Sequence, residues 1–274
     1  MGTNLPATKA ALIEALRLAR LLNDPAFLSN TLGFLTIIHA TLAEYDAAIA
    51  TCNETLTYGL NPDFPRGYAF AIAFGTLSHL HRNQKHEAKQ LVQTGRALAE
   101  TVQSAEALAW ISFAAASCDV ELDDLESAEQ NAQLSLSYCQ QIHALDSVAT
   151  MLGLCGRVAT ARGDFKTASD YLQQAQNQAF NDLQRYYALA DLGIATQIKG
   201  DFQEAMPLLQ TAYEFHATRG ATRYVPLISH AWAQSLSQMG QQDKAIIIAT
   251  QALQQCRDTG DANGRRLQDW LRSI

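Results

Sequence analysis

Three histidines and a glutamate lie close together in one segment of the chain and could bind a metal ion. His79, His81, His86 and Glu87 occur within SHLHRNQKHEA, and imidazole and carboxylate groups are common ligands of zinc. The histidines follow the spacing HxHx4H, which runs from a helix end into the next turn, so their rings need not converge. No HExxH motif or Cys/His pairing supports a metal site. We therefore expect histidines near the negative end of a helix dipole, and no bound metal.

Other short motifs also have a structural explanation. Asp123 and Asp124 could act as an acid–base pair, but they fall at a turn where aspartate commonly caps the next helix. The segment GLCG at residues 153–156 lacks the preceding strand and the following Lys-Ser/Thr of a phosphate-binding loop. The Arg-Gly-Asp tripeptide at residues 162–164 is interpreted as a turn between two helices, not as an adhesion motif. The sequence therefore predicts neither an enzyme nor a cofactor site.

The composition argues against several classes of function. The chain has 20 Lys and Arg against 27 Asp and Glu, a net charge of −7, which is unlike a nucleic-acid-binding or membrane-surface protein. No apolar run approaches the roughly 18–20 residues that span a bilayer, and the N-terminus does not resemble a signal peptide. The five cysteines stand singly, without a CxxC pair. We expect a cytoplasmic protein with buried thiols that binds neither nucleic acid nor membrane.

The chain repeats with a period of about 40 residues. One alanine recurs at spacings of 40, 40, 40, 37 and 40 residues: Ala48, Ala88, Ala128, Ala168, Ala205 and Ala245. In the fifth unit, YYALADLGIATQIKG has helical spacing up to Gly200, and Asp201 with Glu204 forms a capping-box pattern before a second helix. Gly163 and Gly200 stand where a helix ends with a left-handed residue. Each unit is therefore predicted to be a helical hairpin.

This pattern resembles the tetratricopeptide repeat (TPR) over essentially the whole chain. The matching features are a small residue in the first helix, an aromatic residue before the second, and an alanine after it: Gly156 and Gly193; Tyr45, Phe165 and Phe202; and Ala168. The usual repeat has about 34 residues and a terminal proline that is missing here. The longer period is similar to the sensor and C-terminal regions of bacterial ATP-dependent regulators such as the maltose-regulon activator. The resemblance implies an all-α fold, a right-handed α-α superhelix of helical hairpins.

We predict a single solenoid domain over residues 1–274. A lone second-type helix forms a half repeat at 5–23, because Leu12, Leu16 and Ala19 make an apolar stripe in register with the later repeats. Six hairpins follow at about 25–60, 65–102, 104–142, 144–180, 182–219 and 221–258. A C-terminal helix at 262–274 is predicted to cap the last repeat.

The resemblance also implies a binding surface on the concave side of the superhelix. The repeat positions that face inward in the TPR family correspond here to Asn30, Ile37, Phe70, Leu77, Trp110, Phe113, Ser117, Arg157, Tyr187, Ile194, Gln197, His230 and Gln234. Aromatic residues with one arginine among them suit an apolar peptide or helix that carries an acidic group. The same rings could instead be buried against neighbouring helices, and both alternatives remain open.

Two functions are compatible with this sequence. We favour a non-catalytic scaffold that binds a protein or peptide on the concave surface. The alternative is a ligand-sensing regulatory module cut from a multidomain ATPase or transcription regulator, whose partner includes its own missing N-terminal domain.

Overall fold

The computed structural model describes residues 4–274, and this part of the chain is helical, with no strand. Its fourteen α-helices are α1 (Leu5–Leu22), α2 (Pro25–Thr41), α3 (Tyr45–Tyr58), α4 (Pro65–His81), α5 (Lys85–Thr101), α6 (Ala105–Glu121), α7 (Leu125–Gln141), α8 (Leu145–Ala161), α9 (Phe165–Asn177), α10 (Asp182–Lys199), α11 (Phe202–Arg219), α12 (Val225–Gln238), α13 (Gln242–Thr259) and α14 (Asn263–Ser273). A short 3-10 helix, Thr222–Tyr224, precedes α12. The all-α prediction is confirmed. Residues 1–3 of the predicted domain lie outside the described range.

The helices form two compact units. The first ends at Ala144 and contains α1 to α7, and the second begins at Leu145 and contains α8 to α14. In the first unit, α2 pairs with α3, α4 with α5 and α6 with α7; in the second, α8 pairs with α9, α10 with α11 and α12 with α13. We call the first helix of each pair the A helix and the second the B helix. Successive A helices within each unit also pack together. The single domain with its stated repeat bounds stays a prediction.

Small residues let the helices of each unit pack closely. The six recurring alanines, one in each B helix, are all 0 % exposed: Ala48, Ala88, Ala128, Ala168, Ala205 and Ala245. At the crossing of α2 and α4, a Cβ atom added to Gly33 would collide with the backbone of Gly67. Because no side chain separates these two backbones, neither position can accept a larger residue without moving a helix.

Left-handed residues end the A helices, as the two glycines predict. Gly163 has φ +77° and Gly200 has φ +98°, a region that glycine enters without a steric penalty. In the first unit, non-glycine residues adopt the same conformation at the equivalent turns, for example Asn83 with φ +57° and Asp123 with φ +62°. Asparagine and aspartate tolerate this region better than most residues do. The turn is therefore maintained where the glycine signal is absent.

Aspartates begin several B helices, but not all of them act as caps. Asp164 accepts a hydrogen bond from the Thr167 N–H at 3.1 Å, and Asp124 accepts one from the Ser127 N–H at 3.1 Å. The capping box predicted at Asp201 is wrong, since its side chain makes no cap hydrogen bond. Its carboxylate instead pairs with the Lys199 ammonium at 2.6 Å.

Candidate functional site

In the first unit, the predicted aromatic residues pack against one another. Phe70 on α4 and Trp110 on α6 stand one repeat apart, and their ring centroids lie 4.8 Å apart in an edge-to-face arrangement. Phe34 on α2, which sequence reasoning missed, extends the row at 5.3 Å from Phe70, and Phe113 lies 5.6 Å from Trp110. Phe70, Trp110 and Phe113 are 7 %, 6 % and 3 % exposed. These rings hold neighbouring A helices together and present little surface to a partner.

Other predicted residues of the first unit remain partly exposed. Leu77 lies on α4 and Ser117 on α6, each beyond the buried rings along its helix, and both are half-buried, as are Asn30 and Ile37 on α2. The Ser117 hydroxyl donates to the Phe113 carbonyl at 2.9 Å, which uses its proton within the helix. Leu77 and Ile37 are therefore the apolar contacts that the predicted residues of this unit offer.

In the second unit, Arg157 on α8 is half-buried and pairs with side chains of the same unit. Its Nη1 donates to Asp191 Oδ2 at 3.1 Å and to the Tyr224 hydroxyl at 3.0 Å. Burial acts to lower the pKa of Arg157, but Tyr224 and Asp191 outweigh it and raise that pKa above its ordinary value. Burial raises the pKa of Asp191, against the influence of Arg157. The sequence suggested a partner's carboxylate for Arg157, whereas the structure provides the carboxylate of Asp191.

A buried aromatic and cationic cluster lies beside this pair. The Arg223 guanidinium carbon is 5.3 Å from the ring centroids of both Tyr187 and Tyr224. His216 is 0 % exposed, and its ring centroid lies 4.8 Å from that of Tyr187. Burial lowers the pKa of His216 to about 4 and raises that of Tyr224 to about 12. Apart from Tyr187, the sequence did not point to these residues, because Arg223 and Tyr224 lie in the 3-10 helix between two hairpins, outside the repeat register.

The remaining predicted residues of the second unit are partly exposed on α10 and α12. They are Ile194, Gln197, His230 and Gln234. The Tyr187 hydroxyl and His230 Nε2 are buried polar atoms without a hydrogen-bond partner among the described residues. Buried polar groups are nearly always hydrogen-bonded, so these two atoms stand out on this face.

The histidine segment does not assemble into a cluster. His79 Nδ1 lies 2.8 Å from Gln84 Oε1, whereas the His81 ring stacks on Tyr45 with centroids 4.8 Å apart. Within residues 4–274, no group of three or more His, Cys, Asp or Glu side chains is placed to hold a metal ion.

Three of the five cysteines, Cys52, Cys118 and Cys256, show no sign of activation. All five are buried, and burial raises the pKa of Cys52, Cys118 and Cys256 to about 12. A thiol with so high a pKa is a poor nucleophile. None of the fourteen helices described here has both the length and the apolar character that crossing a membrane requires.

Comparison with solved structures identifies the fold as that of the TPR-type helical repeats. The apo form of RapI superposes with a TM-score of 0.64 at 13 % identity, over 93 % of this chain and 94 % of RapI. A Rap protein complexed with Competence and Sporulation Factor gives 0.60 at 12 % identity, over 91 % of this chain and 74 % of that one. A signal transduction ATPase with numerous domains and a tetratricopeptide repeat sensor, from Pyrococcus horikoshii, gives 0.59 at 13 % identity, over 94 % of this chain and 40 % of the ATPase. No family model matches the chain, and no curated protein matches its sequence.

Proposed function

We propose that this chain is a non-catalytic scaffold that binds a protein or peptide partner through its A helices. The observation that carries the proposal is the group of partly exposed side chains on α10 and α12 of the second unit. Tyr187 and His230 each contribute a buried polar atom without a hydrogen-bond partner, and Gln197 and Gln234 add amide groups. A peptide backbone presents both donors and acceptors, so it would complement the partly exposed amides of Gln197 and Gln234, and it would reach the Tyr187 hydroxyl and His230 Nε2 once the side chains that cover them move.

Partly exposed residues are better candidates for the contact than the aromatic row. Phe70, Trp110 and Phe113 support the A helices of the first unit, where Leu77 and Ile37 are the partly exposed apolar residues among the predicted set. One solved relative of the same fold is a Rap protein in complex with Competence and Sporulation Factor. That complex is a precedent for the fold as a binding scaffold, and the partner of this chain is a separate question.

A displayed random-peptide library tests the proposal. The purified chain is used to select binding peptides, and one selected peptide is titrated by fluorescence anisotropy against Tyr187→Ala, Gln197→Ala and Leu77→Ala. We expect at least one of these truncations to weaken binding by about thirtyfold, the effect of losing roughly 2 kcal/mol at an interface hot spot.

Lys166→Ala is the matched control, because Lys166 is exposed on B helix α9. Its affinity should equal that of the unmodified chain, and circular dichroism should show that every variant folds. Equal affinities for all four variants would place binding away from the A helices and overturn the proposal.

The alternative function is a ligand-sensing regulatory module. The observation that favours it is the charged cluster of half-buried Arg157 with the buried Asp191 and Arg223 in the second unit. The Pyrococcus horikoshii protein that shares this fold over 40 % of its length is a signal transduction ATPase with a tetratricopeptide repeat sensor. Native mass spectrometry of the purified chain distinguishes the two functions, because a sensor would retain or take up a small molecule and a peptide scaffold would not.

A further inference from the structure

Helix α1 exposes four large apolar side chains, more than any other helix within residues 4–274. Ile13 and Leu18 are 52 % and 44 % exposed, and Leu21 and Leu22 are each 72 % exposed. The described B helices α5, α9 and α11 expose no large apolar side chain. Elsewhere in the first unit, a B helix such as α3 or α5 packs between two A helices, whereas α1 packs against α2 alone among the A helices. Its other side is therefore suited to contact with another helix.

The charges on this side of α1 restrict what that helix can be. Ala10, Glu14, Arg17 and Leu21 follow a spacing of four, three and four residues, so they form one exposed seam along the helix. Glu14 and Arg17 sit at its centre, with side chains 57 % and 59 % exposed, and pair with each other at 2.7 Å. The seam thus carries one negative and one positive charge, flanked by a small and a large apolar residue.

This seam is complementary to itself when two copies meet head to tail. A two-fold axis midway between Glu14 and Arg17 brings Glu14 of each copy opposite Arg17 of the other. The same axis brings Ala10 opposite Leu21, so a small residue faces a large one at both ends of the seam. Ile13 and Leu18 border the contact on its two sides. Both charges find partners, and a contact of this kind closes after two subunits.

We propose that α1 is a homodimer interface in which two copies of this chain pack antiparallel along the seam of Ala10, Glu14, Arg17 and Leu21. Such a contact is independent of the function proposed for the A helices. A seam of one helix lies at the small end of stable interfaces, so the dissociation constant should be on the order of 10 µM.

Sedimentation equilibrium of the full chain over roughly 1–200 µM tests the proposal. We expect a reversible shift from the monomer mass to twice that mass. Leu21→Glu should weaken the dimer at least tenfold, because it places two carboxylates in an apolar contact. Ile247→Glu is the matched control, since Ile247 is 57 % exposed on B helix α13 and should leave the dimer unchanged.

A charge exchange gives the sharpest test. Glu14→Arg and Arg17→Glu should each be monomeric alone, because like charges then face each other across the axis. Mixed in equal amounts, the two variants should form a heterodimer, in which every facing pair is again of opposite charge. A monomeric wild-type chain at the highest concentration, equal effects of Leu21→Glu and Ile247→Glu, or failure of the mixed variants to associate would each overturn the proposal.

Discussion

At the residue scale, the titration of the buried His216 should affect stability. It is 0 % exposed among aromatic rings, and burial lowers its pKa to about 4, with the charge of Arg223 acting in the same direction. The carbonyl groups of Tyr186 and Ala221 favour the protonated ring but do not restore the usual pKa. In the unfolded chain the pKa is about 6.5. The folded protein therefore holds His216 neutral under conditions in which the unfolded chain protonates it.

This difference predicts a loss of stability in weak acid. Above about pH 6.5 both states are neutral and the contribution of His216 is fully present. As the pH falls from about 6.5 towards 4, the unfolded chain takes up a proton first, so the free energy of unfolding decreases by up to about 3 kcal/mol. Urea unfolding at pH 7 and pH 4.5 measures the decrease. His216→Phe keeps a ring at this position and should show a smaller decrease, and an unchanged pH dependence would contradict the assignment.

The candidate site shows which of its contacts can be predicted from residue positions in the repeat and which cannot. The repeat pattern predicted hairpins over the segments that contain Phe70 and Trp110, but it could not tell a binding surface from a packing contact. Equivalent positions on adjacent A helices are neighbours, so large rings that recur at the repeat period meet each other. Arg157 was predicted because it occupies an inward-facing position of the repeat. Asp191 does not occupy such a position, and Tyr224 lies in the 3-10 helix between two hairpins. Their contact depends on tertiary packing, which the repeat period does not describe.

At the element scale, glycines in the A helices allow a B helix to approach closely. A Cβ atom on Gly193 of α10 would lie 2.9 Å from Leu209 Cδ2 and 3.2 Å from Leu208 Cβ on α11. Contacts this short require a neighbour to move. The position therefore has room for glycine and very little else.

Gly193→Leu should destabilise the second unit. Replacing glycine inside a helix gains up to about 1 kcal/mol in helix propensity, but overpacking a tight interface typically costs about 1–3 kcal/mol and the added side chain points at Leu209. We expect a net loss of about 1 kcal/mol or more in urea unfolding. Gly153→Ala is the control, because a Cβ atom there meets nothing within 4 Å, and this variant should be more stable than the wild type. An unchanged Gly193→Leu variant would show that α10 and α11 separate without cost.

Most of the fold was predictable at this scale because the helices repeat a small set of local signals. The recurring alanines are completely buried, and the glycines at positions 163 and 200 are left-handed as expected. The first-unit turns were harder to identify, since residues such as Gln103 and His143 adopt φ +53° without a glycine. The residue type at these positions therefore does not predict the left-handed conformation, which depends on the surrounding turn.

At the scale of the whole molecule, each of the two compact units has its own tryptophan reporter. Trp110 is 6 % exposed within the first unit, whereas Trp232 and Trp270 pack against a core cluster of the second. The chain contains three tryptophans, so two variants suffice to observe each unit alone. The double variant Trp232→Phe/Trp270→Phe retains Trp110, which reports on the first unit. Trp110→Phe retains Trp232 and Trp270, which report on the second.

Destabilising one unit should reveal whether its unfolding is separate from that of the other. Repeat arrays lose all-or-none behaviour when their parts are stabilised mainly by local contacts. Gly193→Leu should then lower the urea midpoint reported by Trp232 and Trp270 by roughly 0.5 M, since urea changes the free energy of unfolding by about 1–3 kcal/mol per molar. The midpoint reported by Trp110 should stay unchanged. If both reporters shift together, the 274 residues unfold as one cooperative domain and the division into two units has no thermodynamic counterpart.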